Sequence, residues 1–154
     1  DTKYESSPQT NWANDSLVTK WFLFSTNIAV RITDINYGGH VGNDSFLSLI
    51  HEARQQFLNY YQYSEMNFAG TSLIMADVAV EYKKELSYGD VVKISVTAIG
   101  FDKLGFDIFY LLEVIQEEKN YIAGKAKTGM MCFDYQNKKR MQVPDEAVIK
   151  FATI

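Results

Sequence analysis

The chain has 154 residues, of which 47% are hydrophobic and 22% charged, so it is long and apolar enough to fold as one globular domain. A formal net charge of −4 at pH 7 argues against nucleic-acid binding, which needs a basic surface. We expect no membrane span because no run of about 18 apolar residues occurs. One cysteine excludes an internal disulfide and favours a reducing, cytoplasmic location.

Residues 1–20 are polar and lack periodicity, so we expect an N-terminal extension followed by a domain over residues 21–154. Larger apolar side chains then occupy alternate positions, which predicts a first strand over residues 21–33. A polar, glycine-rich loop follows over residues 34–43.

The next segment has the period of an amphipathic helix. Its apolar positions are spaced three and four apart and comprise Phe46, Leu49, Ile50, Ala53, Phe57 and Tyr60. A polar stripe that includes Glu52 lies on the other side. Asn43 or Asp44 is placed to cap the helix N-terminus. A loop over residues 62–70 is expected to follow.

Beyond that loop the period changes to two, which predicts four or so antiparallel strands. In the first of them, one set of alternate residues runs from Ile74 through Val78 to Tyr82. Residues 106–115 are nearly continuously apolar, so this strand should be central and covered on both faces. Turns are expected at residues 88–90 and 134–139.

Pro144 suits the first turn of a short terminal helix. One long helix cannot cover both faces of such a sheet. We therefore expect a second copy of the chain to cover the remaining face or edge.

Residues 34–43 and the start of the helix concentrate the polar chemistry of the chain. Both histidines, a glycine pair, two asparagines and three carboxylates fall within the stretch from Asp34 to Glu52. A strand end and a helix N-terminus meet here, which would aim backbone N–H groups and polar side chains at one small volume. That geometry suits the binding and polarisation of a carbonyl group.

These residues resemble the hotdog-fold thioesterases, in particular the 4-hydroxybenzoyl-CoA and acyl-CoA thioesterase branch. In that branch the loop typically reads Asp-x-Asp-x-x-Gly-His-Val-Asn-Asn. Asp34, Gly39, His40, Val41 and Asn43 match this motif.

Two further segments extend the resemblance over roughly residues 22–145. The family's helix often carries Glu-x-Ala-Arg; here Ala53 and Arg54 match, with His51 where the Glu would stand and Glu52 beside it. Glu81-Tyr82 followed by Tyr88-Gly89-Asp90 resembles the family's strand-turn-strand signature.

The resemblance implies an α+β hotdog fold, with an antiparallel sheet of about five strands wrapped around one long central helix. It implies an enzyme that hydrolyses an acyl-CoA or acyl-carrier-protein thioester to a free acid and a thiol. No cofactor is implied, and the expected assembly is a homodimer or homotetramer.

Two departures from the motif matter for mechanism. Asn36 stands where the family has its usual catalytic Asp, and Gly42 replaces the first Asn of the Asn-Asn pair. An amide cannot act as a general base or as a carboxylate nucleophile. Some hotdog enzymes do carry Asn there to orient the thioester or water, with the carboxylate supplied by the helix.

By resemblance, backbone N–H groups around Gly38, Gly39, Val41 and Asn43 and the helix N-terminus receive the carbonyl oxygen. Asn36 is the first choice for orienting the thioester or the water, although an asparagine that only closes its turn is the alternative.

Glu52 is the first choice for the carboxylate, against the alternative of a solvated glutamate paired with a base such as Arg54 or with a partner residue. Asp34 competes with it, or caps the end of the strand and fixes the loop. We therefore predict that Glu52→Gln costs far more activity than Asp34→Asn. His40 could donate to the carbonyl or hold the loop, and His51 fits helix packing or a dimer contact.

Other polar groups fit a structural role better than a catalytic one. Cys132 follows two methionines at a strand end and should be a buried thiol. No His, Cys or Asp cluster has metal-ligand spacing. Three lysines are candidates for contacts to CoA phosphates: Lys83, Lys84 and Lys103. An acyl tunnel could draw on an aromatic and methionine set that otherwise forms core: Phe46, Phe57, Tyr60, Tyr61, Met66, Phe68 and Met75.

Two other functions stay open. A non-catalytic acyl-thioester or lipid-binding hotdog protein would explain Asn36 in place of Asp. A hotdog dehydratase is less favoured, because that branch usually carries its catalytic His and acid in a different pattern.

Overall fold

The structure is a computed structural model that describes residue 22 and residues 24–152. The predicted N-terminal extension therefore lies outside the described residues. In chain order the elements are β1 (Phe24–Ala29), a 3₁₀ turn (Ile32–Asp34), α1 (Asn43–Tyr60), β2 (Ser72–Tyr82), β3 (Val91–Ile99), β4 (Gly105–Val114), β5 (Tyr121–Asp134), β6 (Lys139–Arg140) and α2 (Asp145–Ala152).

The five long strands form one antiparallel sheet in the order β1-β3-β4-β5-β2, and the short β6 pairs with β5. Helix α1 packs its apolar stripe against one face of this sheet, with Phe46, Leu49, Ile50, Ala53 and Phe57 all buried. This confirms the α+β hotdog fold that the resemblance implied.

Strand β4 lies in the middle of the sheet, as its apolar run predicted. Every residue of β4 except Glu113 is buried. The terminal helix α2 also forms, starting directly after Pro144, whose carbonyl accepts hydrogen bonds from the N–H groups of Ala147 and Val148.

The predicted first strand was wrong at its end. β1 pairs with β3 only as far as Ala29, and residues 32–34 turn in a 3₁₀ helix instead. The cause is local: the Asp34 carboxylate accepts the Arg31 backbone N–H at 2.9 Å and its guanidinium at 3.2 Å. A side chain that bonds its own backbone three residues away competes with the sheet ladder.

The alternation predicted for the strand over residues 74–83 is also wrong, because β2 contains a bulge. Met75 pairs with Met130 and Asp77 with Gly129, so Ala76 is an extra residue on this strand. Such an insertion exchanges the two faces of the strand from that point on. Leu73 before the bulge and Val80 after it consequently both pack on the core.

Neither Asn43 nor Asp44 caps α1. The helix begins at Asn43, its N-cap is Gly42, and there is no side-chain cap hydrogen bond. This N-terminus is therefore left with open backbone donors. No helix in the described part of the chain is long and apolar enough to cross a membrane.

Candidate active site

A cavity of about 490 Å³ lies where the loop after β1, the N-terminus of α1 and the segment after β2 meet. Its lining includes most of the predicted loop residues together with a second stretch of chain: Asn36, Gly38, His40, Val41, Asn43, Phe46, Tyr82, Lys83, Lys84, Glu85 and Leu86. We call it the loop pocket.

Asn36 holds the loop in shape. Its backbone N–H donates to the carbonyl of His40 at 2.9 Å, and its carbonyl accepts the N–H of Gly39 at 3.0 Å. Its side-chain Oδ1 accepts the N–H of Gly38 at 2.9 Å. The side-chain amino group has no hydrogen bond within the described residues and remains a donor on the pocket wall. Gly39 has φ +85°, a conformation that favours glycine.

Three of the loop N–H groups that were candidates for the carbonyl already have partners within the structure. The N–H groups of Gly38 and Gly39 bond Asn36, and the N–H of Val41 donates to the carbonyl of Leu86 at 2.9 Å. The first turn of α1, which starts at Asn43 on the pocket wall, has no side-chain cap. Its N–H groups can therefore donate to a carbonyl oxygen, and the helix dipole favours the negative charge on that oxygen.

His40 lies between two residues that the sequence did not single out. Its Nε2 is 2.8 Å from the Glu85 carboxylate, and its Nδ1 is 3.5 Å from the Ser87 hydroxyl. Glu85 has no local signal in the sequence. It reaches the site only because the Val41–Leu86 backbone bond brings two distant segments side by side.

Glu52 lies in a different cavity. A second pocket of about 620 Å³ between β1 and α1 is lined by Glu52 but by none of the residues of the predicted loop. Glu52 accepts a hydrogen bond from the side chain of Gln56 at 2.8 Å. It follows Asn43 by nine residues, which in a helix is about 13 Å and two and a half turns, so the two residues face opposite sides.

Asp34 is buried and takes the place of a cap at the end of the strand. Its hydrogen bonds to Arg31 hold the turn that begins the loop, and they raise the pKa of the Arg31 guanidinium, helped by the charge of Asp34. The Asp34 carboxylate thus bonds Arg31 at the start of the loop, and it does not line the loop pocket.

Arg54 is not the partner of Glu52. It is buried and donates to Glu65 at 2.6 Å and to the hydroxyl of Tyr110 at 3.1 Å. The Tyr110 hydroxyl also bonds Thr128 at 2.7 Å, and burial raises the pKa of Tyr110. His51 lies 3.5 Å from the same Glu65, which accords with a packing role on the helix.

Two of the three candidate phosphate-binding lysines reach the loop pocket. Lys83 and Lys84 line its rim, and the ammonium of Lys84 lies 4.8 Å from the centroid of the Tyr121 ring. Lys103 does not line it. Of the aromatic and methionine set, only Phe46 lines the loop pocket, where its ring meets Tyr82 at 4.9 Å between centroids.

The rest of that set divides between the core and the surface. Phe57 and Phe68 are buried and stack on Phe151 of α2, whereas Met66 and Met75 are exposed. Cys132 is buried, and burial raises the pKa of its thiol. Within residues 24–152 no three His, Cys, Asp or Glu side chains are grouped to hold a metal ion.

A long helix held against an antiparallel sheet, with a polar loop at the helix N-terminus, defines the class of hotdog thioesterase-like proteins. The chain belongs to the thioesterase-like superfamily, whose family model matches residues 30–151. Thioester hydrolysis is the reaction class of this family.

One similar protein is named for a CoA thioester as its substrate. A 1,4-dihydroxy-2-naphthoyl-CoA hydrolase from Nostoc punctiforme is 26% identical over 130 residues, which cover 81% of this chain and 84% of that protein.

Two solved structures share the fold. A Staphylococcus aureus protein in complex with CoA has a TM-score of 0.72 at 18% identity, covering 84% of this chain and 82% of that one. An Asp-to-Asn mutant of 4-hydroxybenzoyl-CoA thioesterase, complexed with 4-hydroxybenzoyl-CoA, has a TM-score of 0.74 at 11% identity. The match covers 83% of this chain and 97% of that one.

Proposed function

We propose that this protein hydrolyses an acyl-CoA thioester in the loop pocket. The observation that carries the proposal is the meeting, in one cavity, of the uncapped N-terminus of α1, the Asn36 amide and two lysines. Each supplies one need of the reaction: a polarised carbonyl, an oriented thioester or water, and a partner for the phosphates of CoA.

The thioester oxygen binds at the first turn of α1. The backbone N–H groups of this turn act as an oxyanion hole, and one such donor typically contributes a factor of about 10²–10³ in rate. The Asn36 amino group, which lies close to Gly42 at the same helix N-terminus, orients the thioester or the attacking water. Glu52 can join this reaction only if another copy of the chain brings its own helix to the pocket, because within one protomer it faces the other way.

Lys83 and Lys84 bind the phosphates of CoA at the rim. A phosphate-bearing substrate needs local positive charge on a chain with a net charge of −4. The backbone N–H groups of both lysines donate to the Ala123 carbonyl, at 2.9 and 3.0 Å, which fixes where the two side chains begin.

The acyl group contacts Phe46 and Tyr82. We propose an aromatic acyl group before a long fatty one, because these two rings form the apolar wall of a cavity of only about 490 Å³. The named relatives act on or bind aromatic acyl-CoA, which supports the same choice.

The test is release of free thiol by the purified protein from a panel of aromatic and short-, medium- and long-chain acyl-CoAs. We expect release, with aromatic thioesters turned over best. A folded protein that releases no thiol from any of them, nor from acyl-carrier-protein thioesters, would contradict the proposal. Hydration of an enoyl thioester would instead indicate a dehydratase.

A second candidate function is non-hydrolytic binding of an acyl thioester. The observation in its favour is Asn36, an amide where the family usually has a catalytic Asp. Tight binding of an acyl-CoA without turnover, measured by calorimetry, would support this alternative.

A second copy of the chain completes the assembly that we propose. Within the described part of the chain, β2 is an edge strand that pairs with β5 alone, and it exposes Met75, Val78 and Tyr82. A long edge with apolar side chains is a natural template for pairing with another strand. We propose a homodimer or homotetramer joined along β2, and a cytoplasmic location that suits the reduced, buried Cys132.

A further inference from the structure

The loop pocket contains one carboxylate that no sequence motif marks. Among its lining residues, Glu85 is the only acidic side chain, because Asp34 turns toward Arg31 and Glu52 lies in the second pocket. Asn36, at the family's usual acidic position, cannot take up a proton. A reaction in this pocket therefore needs its base from elsewhere on the same walls.

We propose that His40 is the general base of this pocket and that Glu85 positions it. The proposal rests on the thioesterase function proposed above. The Glu85 Oε2 lies 2.8 Å from His40 Nε2, a short distance that fits a hydrogen bond from a ring N–H to a carboxylate. This bond places the proton on Nε2 and leaves the lone pair on Nδ1, which is the tautomer that a base requires.

The backbone holds the pair in place. The residues on both sides of Glu85 are fixed: the Lys84 N–H donates to the Ala123 carbonyl, and the Leu86 carbonyl accepts the Val41 N–H. Leu86 is also buried in the core. Since Val41 follows His40 directly, this backbone hydrogen bond brings the backbones of His40 and Glu85 side by side.

His40 keeps room for a water molecule at Nδ1. The Ser87 hydroxyl lies 3.5 Å from Nδ1, the outer limit of a hydrogen bond, so it does not occupy that nitrogen firmly. The His40 side chain is 43% exposed, so water reaches the ring.

The step balances without any added reagent. Nδ1 takes one proton from water while the water oxygen bonds to the thioester carbon, and the oxyanion rests on the N–H groups of α1. The carbon–sulfur bond then breaks, and the leaving thiolate receives the proton from the imidazolium. The products are one carboxylic acid and one thiol.

The test is a double-mutant cycle on the best substrate of the panel, with Glu85→Gln, His40→Asn and the combined variant. We expect Glu85→Gln to lower kcat about 10- to 100-fold with KM within about twofold, and Glu85→Asp to restore part of the loss. Because Glu85 acts only through His40, the combined variant should be no slower than His40→Asn alone. Glu117→Gln, the same change on an exposed loop, is the matched control.

Several outcomes overturn the proposal while leaving the thioesterase function intact. These are wild-type rates for Glu85→Gln, a full additional loss in the combined variant, and a larger loss for Glu52→Gln than for Glu85→Gln. A loss for Ser87→Ala as large as that for His40→Asn would indicate a serine nucleophile instead. A wild-type protein that releases no thiol overturns both the function and the pair.

Discussion

Asn36 couples the shape of its loop to the chemistry of the pocket. Its backbone and Oδ1 make three hydrogen bonds within five residues, and only its amino group is left for a ligand. The alternatives of a turn-closing residue and a substrate-orienting residue are therefore compatible, because different atoms of one side chain serve each.

Asp34 matches the family motif, but its contacts in the structure hold the turn before the loop. We predict that Asp34→Asn lowers the free energy of unfolding by about 1–2 kcal/mol, because a buried carboxylate that accepts three Arg31 hydrogen bonds becomes an amide. Urea unfolding measures this. The folded fraction should keep a kcat within about twofold of wild type, and a much larger drop in kcat at unchanged stability would assign Asp34 to the chemistry.

Cys132 should react slowly with thiol reagents. Burial raises the pKa of its thiol, so the reactive thiolate is scarce at neutral pH, and the side chain is also out of reach. We predict that labelling by a disulfide reagent at pH 8 speeds up in step with urea unfolding. Fast labelling of the folded protein would contradict a structural thiol.

At the scale of elements, the sequence period located α1 and the central strand β4 correctly. The helix is recognised by its single buried apolar stripe, and β4 by its burial on both faces. The period failed where a local or paired contact overrides the pattern. The Asp34–Arg31 contact ends β1 early, and the extra residue Ala76 reverses the faces of β2. Neither can be seen in the residue types alone.

The buried Arg54 network ties the loop after α1 to the sheet. We predict that Arg54→Met destabilises the protein by about 2–4 kcal/mol, because Glu65 and Tyr110 lose a charged partner. Chemical unfolding measures the loss, and Arg140→Met on the exposed β6 should change the free energy of unfolding by less than about 0.5 kcal/mol. Equal stabilities of the two variants would contradict this account of the network.

At the scale of the whole molecule, the sequence predicted the fold and singled out five residues of the loop that line the loop pocket, and it offered Glu52 on α1 as the first-choice carboxylate. Glu52 lines the second pocket because it lies two and a half turns after Asn43 and so faces the opposite side of α1. Glu85 lines the loop pocket because the fold brings its segment beside His40. Resemblance to a family motif can indicate residues within that motif. It cannot indicate the contact of His40 with Glu85, which lies 45 residues further along the chain.

The proposed assembly along β2 is tested by light scattering after gel filtration. We predict a dimer or tetramer for the wild type and a shift toward monomer for Val78→Lys, which places a charge on the apolar edge. Ile149→Lys, at a more exposed apolar position on α2, should leave the mass unchanged. A monomeric wild type would contradict the assembly.

The most direct test of the central claim, that hydrolysis occurs in the loop pocket, is the kcat/KM of Asn36→Ala beside wild type on the best acyl-CoA. The account predicts a fall of at least about tenfold, since the side chain that orients the thioester or the water is lost. Thermal melting checks that the variant stays folded. An unchanged kcat/KM would contradict the account, because Asn36 would then have no part in binding or orienting the thioester.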